Sequence, residues 1–155
     1  MTNKEKAIPP DYHSVAPYLI VKHAAKAIDF YKKVFGATEL LRMTMPDEKI
    51  VFAEIKIGES LILLSDEFPE TGVCSPKTLG GSPVRLHLYV EDVDALVKQA
   101  VAAGAKVTLP VRDQFYGDRS GYFEDPFGHK WGFATHTEDL SPEEMNERAK
   151  AAHGG

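Results

Sequence analysis

The feature that most constrains this chain is an internal repeat. Tyr18-Leu19-Ile20-Val21 recurs as His87-Leu88-Tyr89-Val90, sixty-nine residues later, and the residues after each copy stay in step. Ala24, Ala27, Ile28 and Tyr31 lie over Val93, Leu96, Val97 and Ala100. Each set has the i, i+3, i+4, i+7 spacing of a helix with one buried face. Both helical patterns run out at a Gly-Ala pair, Gly36-Ala37 and Gly104-Ala105, where glycine suits a left-handed cap. Further on, Phe52-Ala53-Glu54 matches Tyr122-Phe123-Glu124, and Gly58 faces Gly128, at an offset of seventy.

Such a chain is expected to be α+β: two βαβββ repeats whose curved mixed sheets frame a small-molecule cavity. The first repeat predicts strands over 15–21, 38–45, 50–57 and 60–65 with a helix over 24–35. The second predicts strands over 84–90, 107–111, 120–125 and 130–135 with a helix over 93–103. Residues 1–13 read as a flexible N-terminus, 14–66 as the first module and 84–136 as the second, the two forming one domain. Between them, 67–83 holds three prolines, three glycines and the sole cysteine, and reads as a linker or flap. The tail 137–155 opens its short helix with Ser141-Pro142-Glu143-Glu144, a capping box with proline at the first helical position. That helix is polar, and is expected to be marginal or to dock on a neighbour.

Composition narrows the function classes. With 43% hydrophobic and 26% charged residues, the chain is ordinary for a soluble globular domain. A net charge of −5 gives no electrostatic reason to expect nucleic acid or an anionic membrane as partner. Apolar runs such as 61–64 fall far short of a membrane span, and no apolar stretch comes after the charged first residues. A cytoplasmic protein is therefore expected. A single cysteine, Cys74, precludes an internal disulfide and a multi-cysteine zinc site.

Strand alternation separates the helix-facing residues from the opposite face. Leu86, Leu88 and Val90 form an apolar stripe, which leaves Arg85, His87 and Tyr89 opposite. In the first repeat Leu19 and Val21 face the helix, leaving Ala16, Tyr18 and Ile20 opposite. If Trp131 and Phe133 face the helix, His136 joins the side of His87. Tyr116, Asp118 and Arg119 crowd a loop-to-strand junction, where function often concentrates. The candidate ligand-binding set is thus Tyr18, Arg85, His87, Tyr89, Tyr116, Asp118, Arg119 and His136.

The runs Pro17-Tyr18-Leu19-Ile20-Val21 and Ala27 to Ala37 resemble the first unit of the vicinal oxygen chelate superfamily. That superfamily includes glyoxalase I, bleomycin- and fosfomycin-resistance proteins and extradiol dioxygenases. Tyr116 to Gly121, with Asp125-Pro126-Phe127-Gly128-His129-Lys130-Trp131, is similar to its PhnB-like branch. The resemblance covers residues 14–139 and implies a homodimer that binds a small molecule. It also implies four metal ligands, usually His, Gln or Glu, two from each half. By motif alignment these fall at Ala16, Leu63, Arg85 and Gly132. None is a ligand: two are aliphatic, one has no side chain, and arginine stays protonated. No cofactor is expected on this reading. A shift of two residues would place His87 at the third position.

Two functions compete. One is a metal-independent binder or enzyme of unknown substrate. The other is a metal-dependent lyase, isomerase or dioxygenase with a non-standard ligand set, drawing on His87 and His136 as a metal or acid–base pair. A methyltransferase reading lacks support, since no strand of this chain leads into a glycine-rich strand-to-helix loop of the nucleotide-binding kind. Arg85 calls for a partner, either a salt bridge with Asp118 or Glu124 or an anionic ligand, and the salt bridge is favoured. Trp131 and Phe127 read as packing, and Cys74, with no histidine nearby in sequence, as inert.

Overall fold

The computed structural model describes residues 5–154; residues 1–4, part of the stretch expected to be flexible, and residue 155 lie outside it. The chain divides into two compact units after Gly80. The first runs β1 (Tyr18–Val21), α1 (Ala24–Phe35), β2 (Thr38–Thr44), β3 (Ile50–Ile57), β4 (Ser60–Asp66) and a four-residue α2 (Pro76–Leu79). The second runs β5 (Arg85–Tyr89), α3 (Val93–Ala102), β6 (Lys106–Asp113), β7 (Asp118–Glu124), β8 (Lys130–His136) and α4 (Pro142–His153). Each unit has one four-stranded mixed sheet, ordered β1-β4-β3-β2 and β5-β8-β7-β6. The first strand pairs parallel with the last in each, and the remaining pairs are antiparallel. This is the α+β, paired βαβββ architecture that the repeat predicts.

In the first unit, Ala24, Ala27, Ile28, Phe30, Tyr31 and Val34 of α1 are buried. They meet Leu19, Val21, Ala53, Ile55, Ile62 and Leu64, one face of the sheet. Gly36 ends α1 at φ 68° and donates to Lys32 O, the expected left-handed cap. In the second unit α3 buries only Val93, Leu96 and Ala100, against Phe123, Trp131 and Phe133. Its cap is Ala103, and Gly104 takes the positive φ of 104° one residue later.

The strand register shifts one part of the sequence alignment. Tyr18 pairs with Leu63, which pairs with Glu54; His87 pairs with Gly132, which pairs with Tyr122. Glu54 therefore occupies the place of Tyr122, where sequence matching sets Phe52. The two alignments share parity, so the facing of each side chain survives the correction.

Residues 67–79 carry order of their own. A 3-10 turn (Pro69–Thr71) leads to α2, whose N-cap Ser75 accepts from Thr78 N–H. The buried Glu67 carboxylate accepts from Ser75 N–H at 2.9 Å and Thr78 Oγ1 at 2.7 Å. These bonds, Thr78 foremost and then Ser75, hold its pKa down at about 2. The polar helix α4 docks within its own chain: Arg148 donates to Phe115 O at 3.2 Å and pairs with Glu138 at 2.6 Å, and His153 meets the Phe115 ring. Among the described residues no helix is long and apolar enough to cross a membrane.

Candidate functional site

The second unit turns one polar, aromatic face away from α3. Register places four rungs on it: Arg85, Lys130 and Glu124; His87, Gly132 and Tyr122; Tyr89, Ala134 and Ser120; and then His136 with Asp118. Leu86, Leu88, Trp131 and Phe133 point the other way, toward the helix, as alternation predicts. Arg85, His87 and Tyr89 are exposed, Tyr89 to 64%.

Gly132 organises this face. A Cβ built there would lie 2.8 Å from His87 Nδ1 and 3.3 Å from the Tyr122 ring. With no side chain on β8 at this rung, groups from β5 and β7 lean across it and meet. The Arg85 guanidinium lies 3.8 Å from the Tyr122 ring centroid, and His87 packs edge-on against Tyr89 with centroids 4.9 Å apart. The expected salt bridge from Arg85 to Asp118 or Glu124 is absent among the described residues, and the stack on Tyr122 takes its place. Tyr122 escapes a reading of the sequence because it sits inside an aligned core segment. Its alternation with buried Phe123 is the signal that points to it.

At the far end, the two His136 ring nitrogens meet Asp118 at 2.8 Å and Asp139 at 2.7 Å. Asp139 first and then Asp118 raise the His136 pKa above its ordinary value. His87 and His136 share the face but not a contact: His136 lies four positions along β8 from Gly132, about 13 Å of strand. Tyr116 reaches the same face through its hydroxyl, 3.1 Å from Ser120 Oγ. Arg119 does not. It lies on the helix side, donating to Asp94 of α3 at 2.9 and 3.0 Å and to Asp113 at 3.3 Å. Alternation next to Asp118 implies this placement, and the crowded loop motif masks it.

A further residue has no clear signal in the sequence. Asp125, buried, accepts from Phe127 N–H, His129 N–H and Trp131 Nε1–H at 2.9–3.0 Å. It ties the 125–128 turn to β8 and so fixes the register that brings Gly132 beneath His87. Two of these bonds are the local kind an aspartate makes at a turn, and the third reaches Trp131 on the strand that follows.

In the first unit the matching face carries Tyr18, 6.1 Å from the Phe52 ring, with Leu63 between the strands. Beside it Ala7, Ile8, Pro9, Tyr12, His13, Ser14 and Ala16, with Phe52, Glu54 and Leu63, line a cavity of about 450 Å³. The Tyr12 hydroxyl is buried there beside Glu54; burial first, and then the Glu54 carboxylate, push its pKa up to about 12. A second hollow of about 430 Å³ lies at the start of α1, lined by three lysines, Lys22, Lys26 and Lys49, and four carboxylates, Asp47, Glu48, Asp66 and Glu67.

The family model of the Glyoxalase/Bleomycin resistance protein/Dioxygenase superfamily matches residues 12–133. The chain belongs to this superfamily. An uncharacterized protein of Mycobacterium bovis, Mb0911c, is 41% identical over 137 residues, 85% of this chain and 89% of that one. The crystal structure of the Arabidopsis thaliana At5g48480 product is 28% identical with a TM-score of 0.64, covering 79% of this chain and 98% of that one. A PhnB protein from Bacillus cereus shares the fold at a TM-score of 0.64 and 13% identity, over 79% and 99% of the two chains.

The superfamily metal ring does not fit the residues present. Its last positions in the two units are Leu63, an apolar side chain, and Gly132, where no side chain can stand beneath His87. Register puts Tyr18 and His87, rather than Ala16 and Arg85, beside them, so one imidazole is the sole good donor of the four. Among the described residues no group of three or more His, Cys, Asp or Glu is placed to hold an ion.

Proposed function

We propose that this chain is a small-molecule-binding member of the superfamily that works without the usual divalent-metal ring, holding its ligand on the helix-free face of the second unit. The observation that carries the reading is Gly132: the place of a β8 ligand is filled by the His87 and Tyr122 rings, which form a binding surface instead. Apolar rings with a few directional groups are what recognition of a small organic molecule needs. Tyr89, Arg85 and His87 make the contact surface, with Tyr116, Asp118 and His136 at its polar end.

The test is elemental analysis of tag-free protein after Ni, Zn, Mn, Fe and Co are added back and dialysed. No retained metal is expected. A near-stoichiometric ion that His87→Ala abolishes would overturn the reading and direct work to lyase and dioxygenase assays. Pairing of two copies is part of the same proposal. It is supported by Leu40, Leu41, Met43 and Met45, apolar and exposed along the edge strand β2 and its end. Sedimentation showing only a monomer at micromolar concentration would remove it.

A further inference from the structure

Resting on that binding reading, we infer that the ligand is a small aromatic carboxylate, its anionic group held by Arg85. On this face Arg85 alone combines a positive charge with a fixed orientation. Its guanidinium is 3.8 Å from the Tyr122 ring and forms no ion pair with Glu124, the carboxylate on its own rung of the sheet. Stacking holds a guanidinium flat on a ring and leaves its edge N–H groups free, and those edge donors match a carboxylate bidentately. Because the stack sets this geometry in advance, less side-chain freedom is lost on binding.

Charge along the face has a direction. Lys130 pairs in register beside Arg85, and Glu124 beside Lys130, so that end carries two cations against one carboxylate. The acidic end is occupied internally, with Asp118 and Asp139 both on His136. An anion is therefore drawn to the Arg85 end. From there, Arg85 to Tyr89 spans about 13 Å of strand, enough to take a one- or two-ring molecule lengthwise. His87 and Tyr89, edge to face, offer the aromatic wall for its ring.

The probes are 2-naphthoate and its neutral counterpart 2-naphthamide, titrated by calorimetry and by amide chemical shifts. Naphthoate is expected to saturate, shifting residues 85–89 and 132, and naphthamide to bind about tenfold more weakly or worse. Arg85→Gln should erase that preference. Arg85→Lys, which keeps the charge but not the fork, should restore only part of it. Far-ultraviolet dichroism checks that each variant is folded. If naphthamide binds as well as naphthoate, or Arg85→Gln leaves the preference intact, the carboxylate inference falls while the binding face stands. If neither probe perturbs the face, both fall.

Discussion

Helix α1 opens at His23, which caps nothing with its side chain, and its first N–H is met from the sheet: Asp66 Oδ1 accepts from Ala24 N–H at 2.9 Å. Helix α3 opens at Asp92, which caps its own helix by accepting from Ala95 N–H at 3.0 Å. Residues 23 and 92 are equivalent in the repeat, as are 66 and 135, and position 135 is a threonine bonded to Val90 O. The carboxylate has moved from the helix start in one unit to the neighbouring strand in the other. Helix ends must find acceptors for their free N–H groups, but the chain is indifferent to which element supplies them. The consequence is unequal weight. Asp66 is buried and also accepts from Ile50 N–H, so it locks helix to sheet, while Asp92 is exposed and only caps.

The largest effect should come from Asp66→Ala, which strands two buried N–H groups and costs about 3–4 kcal/mol. Asp92→Ala should cost about 1 kcal/mol. Urea unfolding measures both, and equal losses would break the comparison.

The next pair, Glu67 and His136, is also equivalent and titrates with opposite sign. Glu67 has a folded pKa of about 2, below its ordinary 4.5. Its stabilising contribution is present above pH 4.5 and fades as pH falls toward 2. Glu67→Gln should flatten that acid limb of a stability–pH profile and cost about 2 kcal/mol at neutral pH. An unchanged limb would show that the Thr78 and Ser75 bonds do not hold in solution.

Gly132→Ala tests the contrast between Gly132 and Leu63. The new methyl must displace His87, so about 1–3 kcal/mol of stability should be lost, together with ligand-induced shifts at residues 85–89. Leu63→Ala, in the first unit, should leave those shifts alone.

The smallest effect is at His136, whose folded pKa is raised above 6.5. Its contribution is complete below that value and is lost as pH rises through the folded pKa. Proton NMR titration should find the raised value, and Asp139→Asn should lower it further than Asp118→Asn. The reverse order would show that the exposed Asp139 contact is transient.

Much of the architecture was legible because it rests on periodicity. The spacing of Ala24, Ala27, Ile28 and Tyr31 can bury only as a helix, and alternation in Arg85–Tyr89 can only divide two faces. The candidate residues Arg85, His87, Tyr89, Asp118 and His136 fall on one face for that reason. Arg119 does not, because the same alternation rule turns it to the helix side whatever its loop motif suggests. Asp66 and Tyr122 stayed hidden because each acts on residues that its own strand does not place next to it.

The sequence by itself determined the repeat and the strand faces, since these depend on residue type and local spacing. Only the tertiary structure decided that Arg85 would stack on Tyr122 rather than pair with a carboxylate, that His87 would cover Gly132, and that Asp66 would cap a helix forty-two residues before it. Those contacts join strands through register, and register depends on the whole sheet packing against its helix, with nothing in any one segment to specify it.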